Sequence, residues 1–284
     1  MSEAGSGYPV REAQGAAGPL PRASALPGPA YVSAVALARL LKCLVCHDYV
    51  LPPFVQCPNG HLMCSACRQK NTRCVACQSP IGSIRNLAME LVVSMALFPC
   101  KYSLEGCPAL LSYSDLPEHD EDCQFTPCQC PCLGGWCMWR GPLVNVMTHL
   151  GHMHEGIGRH EEESIVFQAT GINRPGTVDW AMIQTCFGHH FFVALEKEEK
   201  PDGRQQFSGR VQLIGSRRQA DKFTYRLELH AHARRLAWEA TPRSICEGVE
   251  GATMSIDCLV FDGSTAQRFA DHADLNINVT IWRS

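Results

Sequence analysis

Between Cys43 and Cys77, eight cysteine and histidine side chains recur as four close pairs: Cys43 with Cys46, Cys57 with His61, Cys64 with Cys67, and Cys74 with Cys77. Residues this close can grip one metal ion from a tight turn, and two such pairs complete a tetrahedral site. The set implies two closed structural zinc sites, with no position left open for a catalytic water. His47 falls outside this register and is expected to be exposed.

A second set follows as a tandem repeat. Cys100, Cys107, His119 and Cys123 are succeeded by Cys130, Cys137, His149 and His154, and the first three members of each copy lie thirty residues apart. Two copies of one zinc-binding unit give two further sites. The repeat selects Cys130 and Cys137 from the dense stretch CQCPCLGGWC, leaving Cys128 and Cys132 without counterparts and His152 as a bystander. An alternative register through Cys132 would break the six-residue spacing.

The compartment decides whether the seventeen cysteines read as metal ligands or as disulfides. The first thirty residues are rich in Ala, Gly, Pro and Ser and lack the apolar core of a signal peptide. The run AYVSAVALARLL is too short to span a bilayer and contains Arg39. Reduced thiols and four zinc ions are therefore expected, with disulfides the minor reading. The sequon at Asn278 is then a coincidence within a strand.

The elements that position these ligands follow from changes in composition. Residues 1–37 have no apolar periodicity and read as a disordered tail; residues 38–79 carry the first two sites. Residues 80–97 form a linker whose SIRNLAMELVVSMALF looks helical, and residues 98–157 hold the tandem fingers. From 158 to 284 the pattern changes to period-two alternation. Phe223, Tyr225, Leu227 and Leu229 share one face, as do Leu275, Ile277, Val279 and Ile281, and Phe207, Val211 and Leu213 repeat the pattern. About eight such runs, with STAQRFAD as a short helix, predict an antiparallel β-sandwich. The net charge is −3, and the fingers carry Lys101 and Arg140 against seven acidic residues between 98 and 155. Phosphate binding needs clustered positive charge, so neither nucleic acid nor an anionic membrane is an expected partner.

The spacing from Cys43 to Cys77 resembles a RING finger, and a RING, a tandem finger repeat and a sandwich in this order resemble the seven in absentia (SIAH) ubiquitin ligases. The resemblance covers about residues 38–284 and includes DYVLPP, GSIRNLAME, FPCKY, VDW and WEATPRSI. It implies interleaved ligands, with Cys43, Cys46, Cys64 and Cys67 on one zinc and Cys57, His61, Cys74 and Cys77 on the other. It implies a TRAF-like sandwich that binds substrates and dimerises, and a RING that binds a ubiquitin-conjugating enzyme carrying ubiquitin as a thioester. Transfer is then catalysed by positioning, with no covalent intermediate on this chain. Proteasomal targeting and a cytoplasmic and nuclear location are implied as well.

Matching the RING pattern, Val45, Pro52 and Pro53 face the conjugating enzyme, where local packing around zinc is the competing reading. Val75 and Gln78 stand where the family usually has proline and arginine; that arginine helps fix the bound ubiquitin. The family's sandwich captures extended peptides with a Val-x-Pro core. Val178, Asp179, Trp180 and Met182 match that groove, whereas Gly158 and His160 replace threonine and leucine. Val178, Trp180 and Met182 also alternate as core residues would.

Two other readings compete. A thioester-forming nucleophile at Cys186, Cys246 or Cys258 would need an electropositive, partly exposed setting, but each lies in or near an apolar strand pattern. A folded adaptor that binds substrate without efficient ubiquitin transfer is motivated by Val75 and Gln78.

Overall fold

The computed structural model describes residues 38–132, 137–200, 202–231, 233–247 and 257–284. The tail expected over residues 1–37 lies outside the described residues.

The first module is built from very short elements. Strands Val55–Gln56 (β1) and Ile84–Arg85 (β2) pair antiparallel, and helix Ser65–Lys70 (α1) follows Cys64, whose sulfur accepts the Cys67 N–H. Helix α1 buries none of its residues, so it has no amphipathic face to hold it. The helix expected across SIRNLAMELVVSMALF is confined to Leu87–Ser94 (α2). Its start is set by Asn86, whose side chain accepts the Met89 N–H, and Ile84 and Arg85 are drawn into pairing with β1 instead. Glu90 of α2 accepts the Phe54 N–H at 2.9 Å, and α2 buries Val93 beside Leu41, Val50 and Phe54. Residues 84–94 are thereby part of the first module's packing.

Each finger is a two-stranded ribbon followed by a helix. Phe98–Pro99 (β3) pairs with Leu110–Leu111 (β4) before Leu116–Asp122 (α3). Pro127–Gln129 (β5) pairs with Arg140–Pro142 (β6) before Val146–Met153 (α4). The thirty-residue repeat therefore extends beyond the ligands to the packing. Phe98, Tyr113 and Leu116 occupy the same places in the first copy as Cys128, Leu143 and Val146 in the second. In the first copy these residues pack against Leu41, Val50 and Phe54, and the Tyr49 hydroxyl donates to the Pro99 carbonyl. In the second they pack against Ile183, Phe192, Ala194 and Ile245. One face of the repeat docks on the module before it in one copy and on the module after it in the other.

The sandwich has two sheets. One has the order β13-β12-β16-β8, made of Arg234–Ala240 (β13), Phe223–Ala231 (β12), Leu275–Arg283 (β16) and Ser164–Ala169 (β8). The other has Arg243–Ser244 (β14), Gln205–Leu213 (β11), His189–Glu199 (β10), Val178–Cys186 (β9) and Gly158–His160 (β7) in spatial order, with Leu259–Asp262 (β15) also on β11. The long strands pair antiparallel, as the alternation predicts; β7 and β14 run parallel to their neighbours for three and two residues. Phe191, Val193, Leu195, Phe207, Val211, Tyr225, Leu227, Leu229, Ile277 and Val279 form the core between the sheets. The short helix near STAQRFAD is Gly263–Phe269 (α6), capped by the Asp262 carboxylate on the Thr265 N–H.

Polar contacts join the first finger to the sandwich through helix Arg217–Ala220 (α5). Arg218 lies 2.8 Å from Glu118 and 3.6 Å from Asp122, and the Ser216 hydroxyl donates to Asp122. Part of the finger's negative charge is thus matched by the chain's own arginine.

Phe98→Ala should cost about 3–5 kcal/mol, because it empties the joint between the first module and the first finger. Chemical denaturation would check this, and zinc content should stay unchanged. Arg218→Ala, at an exposed pair, should cost about 1 kcal/mol or less.

Candidate metal centres and interaction surfaces

Sixteen ligands gather into four groups, and within each group the ligand atoms all lie within 4.8 Å of one another. The groups are Cys43, Cys46, Cys64 and Cys67; Cys57, His61, Cys74 and Cys77; Cys100, Cys107, His119 and Cys123; and Cys130, Cys137, His149 and His154. The first two interleave along the chain, as the RING resemblance implies.

The donor geometry fits zinc. Tetrahedral bonds of ordinary Zn–S and Zn–N length put sulfurs about 3.8 Å apart and sulfur and imidazole nitrogen about 3.6 Å apart. Cys46 and Cys64 are 3.8 Å apart, Cys57 and Cys77 3.7 Å, and Cys100 and Cys123 3.7 Å. His61 turns Nδ1 toward Cys57 and Cys74 at 3.5 and 3.6 Å. His119, His149 and His154 turn Nε2 toward Cys107, Cys137 and Cys130 at 3.5, 3.4 and 3.3 Å. With four protein ligands each, these are closed structural sites.

Local hydrogen bonds prepare the ligands. The hydroxyl and N–H of Ser79, helped by Asn59, hold the Cys77 thiol down to about 5. Cys132 lies outside the ligand set; its side chain beside Cys130 holds the Cys130 thiol down to about 4, while the same pairing and burial push the Cys132 thiol far up. Cys132 stands beside the ligand group without joining it. Trp139 stacks on His149 with ring centroids 4.4 Å apart and fixes the plane of that imidazole. His47 and His152 are exposed bystanders.

One cysteine expectation is overturned. Cys128 and Cys246 are joined as a disulfide across 118 residues of sequence. The repeat left Cys128 without a metal, and its docking position carries it onto the sandwich, where Cys246 lies with a Cα–Cα separation of 4.5 Å. Local spacing holds no trace of a partner that distant. The uninterrupted apolar run Phe191–Leu195 could have disclosed the joint, because a strand apolar on both faces must be covered on both.

Cys186 and Cys258 are buried, and burial pushes the Cys186 thiol up to about 11. Cys246 is spent in the disulfide. The buried Cys186 and Cys258 lack the exposed setting of a thioester-forming nucleophile.

On the first module Leu44, Val45 and Val75 are 43%, 41% and 44% exposed. A nearby groove is lined by Tyr49, Leu51, Pro52, Pro53, Val55, Met63 and Arg68. Gln78 is exposed at a φ of 60°; its N–H donates to the Cys74 carbonyl, and its own carbonyl accepts from Arg73.

On the sandwich β7 lies beside part of β9, pairing Gly158 with Met182 and His160 with Gln184. Met182 is buried in the core, and Trp180 packs against that core with its indole N–H on the Thr170 carbonyl. Asp179 lines a pocket that it shares with Cys132, His154, Ile157, Trp180, Ala181 and Phe192. Burial pushes its carboxyl up, against the pull of Arg210. Gly158 and His160 thus lie on the edge strand, Met182 in the core and Asp179 toward the fingers, with Val178 and Trp180 half-buried.

With this geometry the chain belongs to a class defined by a zinc-braced RING, a zinc-finger pair and a TRAF-like sandwich. The Sina RING finger description matches residues 43–77, the Sina zinc finger 91–167 and the Sina TRAF-like domain 184–280. The chain is 53% identical over 264 residues to E3 ubiquitin-protein ligase siah2 of Xenopus laevis, covering 93% of this chain and 84% of that one. It is 57% identical over 245 residues to E3 ubiquitin-protein ligase sina of Drosophila melanogaster, covering 86% and 78%, and 55% identical over 246 residues to SIAH2 of Homo sapiens, covering 86% and 76%. The chain belongs to the sina/SIAH family of RING-type E3 ubiquitin-protein ligases.

Two substitutions separate ligand from support. Cys74→Ala should lower zinc from four ions per chain to three by native mass spectrometry and unfold the local turn. Cys132→Ala should keep all four but weaken the last finger's hold on zinc by about 10–100-fold in chelator competition.

Proposed function

We propose that the RING binds a ubiquitin-conjugating enzyme charged with ubiquitin, that the sandwich binds the protein to be modified, and that modified substrates pass to the proteasome. The observation that carries the reading is the exposed apolar patch of Leu44, Val45 and Val75. All three stand beside zinc ligands, so the metal sites hold them fixed in the open. Apolar residues that are both exposed and immobilised give up little entropy when a partner covers them. Closed zinc sites provide no Lewis acid, so the chain accelerates transfer by orienting the thioester toward a substrate lysine.

The substrate end of the reading rests on the β9 edge. β7 covers Met182 to Gln184, and no described strand covers the same edge at Val178–Ala181. An extended segment, such as a Val-x-Pro peptide, would add there through main-chain hydrogen bonds. Because Met182 serves the core, side-chain recognition falls to Asp179, Trp180 and the finger-facing surface. Homodimerisation through the sandwich and a cytoplasmic and nuclear location rest on family membership. Among the described residues no helix is long and apolar enough to cross a membrane.

Discharge of a ubiquitin-charged conjugating enzyme to free lysine tests the proposal. Val45→Ala should slow discharge about tenfold, the cost of roughly 1.4 kcal/mol of lost contact. Gln78→Arg should speed it several-fold by adding a guanidinium where ubiquitin is held. If the zinc-replete wild type adds nothing to the uncatalysed rate with several conjugating enzymes, the chain acts as a substrate-binding adaptor, the reading that Val75 and Gln78 favour.

A further inference from the structure

We propose that Cys128 and Cys246 form a redox-modification site: a reversible disulfide, made and broken by exchange with a small disulfide such as glutathione disulfide, that staples the second zinc finger to the sandwich. The four zinc groups use neither residue, so the pair is free for other chemistry. Cys128 occupies the place that Phe98 holds in the first finger, where that face docks by apolar contact. The same docking position therefore carries a thiol in the second finger, facing a second thiol on the sandwich.

Both ends are held by rigid backbone. Cys128 lies within β5, opposite Gly141 of β6. Cys246 sits in the turn Ile245–Glu247, where its N–H donates to the Ser244 hydroxyl at 3.1 Å and that hydroxyl donates to the Gly215 carbonyl at 2.6 Å. Leu143, Val146, Ile183, Phe192 and Ile245 pack around the joint, so the finger remains seated when the bond is open. Reduction then loosens a joint without dismantling it, and closing the ring is an intramolecular step.

Access orders the chemistry, because Cys128 is 2% exposed and Cys246 is only partly buried. The Cys246 sulfur attacks one sulfur of glutathione disulfide, forming a mixed disulfide and releasing one glutathione. The Cys128 sulfur then attacks the Cys246 sulfur and releases the second glutathione. Two protein thiols are oxidised, one glutathione disulfide is reduced to two thiols, and the two protons end on those thiols. Reduced glutathione reverses both steps.

The test uses the full zinc-replete chain equilibrated over a range of reduced to oxidised glutathione ratios, acid-quenched, alkylated and digested. Mass spectrometry should find a peptide linking Cys128 to Cys246 that rises with oxidation while zinc stays at four per chain. The oxidised form should melt about 5–10 °C higher than the reduced form. Cys128→Ser and Cys246→Ser should each abolish the linked peptide and the melting difference, and the double variant should add nothing further. The wild-type titration stands even if a variant folds poorly. Both residues alkylated at every ratio in zinc-replete protein would overturn the proposal. So would Cys246 halting as the glutathione adduct, or a linked form melting with the reduced one.

Discussion

Tetrahedral coordination by four sets of cysteine and histidine side chains is the constraint on which residues 38–157 depend. The elements there are two- and three-residue strands and helices of six to eight residues, too short to persist unaided. Helix α1 buries no side chain. Structural zinc contributes roughly 10–16 kcal/mol of apparent binding energy per site in comparable small domains, which replaces the apolar core such a segment lacks. The sandwich works by the opposite means. Its long strands put Phe191, Leu195, Tyr225 and Leu227 between two sheets, each such side chain contributing about 1.5–3 kcal/mol when buried.

Between these regimes the finger repeat acts as an adaptor. A single docking face is used twice, first toward the RING through Phe98, Tyr113 and Leu116, then toward the sandwich through Cys128, Leu143 and Val146. Arg218 and Ser216 add a polar tie from the sandwich back to the first finger. This series of seated joints ties the RING, the two fingers and the sandwich together in chain order. The exposed residues on the RING share its logic, because Val45 and Val75 are presented by turns whose shape the metal sets.

Much of this was legible in the residues. The register from Cys43 to Cys77 is local, since a metal site made of close pairs writes its geometry as spacing. The thirty-residue offset likewise separated Cys130 and Cys137 from Cys128 and Cys132. Alternation at Phe223–Leu229 and Leu275–Ile281 announced the sandwich, because a half-buried strand must repeat every second residue. At Val178, Trp180 and Met182 the same alternation was ambiguous between groove and core. Met182 is buried among residues from both sheets, whereas Val178 and Trp180 are only partly buried.

What the sequence by itself determined, then, was everything encoded within a turn or a strand: ligand sets, repeat length and strand faces. Only the tertiary structure decided which surfaces meet. It put Cys128 beside Cys246, drew residues 84–94 onto the RING and covered the outer face at Phe192 and Ala194. The reason is physical. Coordination and strand alternation act between residues near in the chain, whereas docking depends on shape and apolar area brought together across a hundred residues or more, which no spacing records.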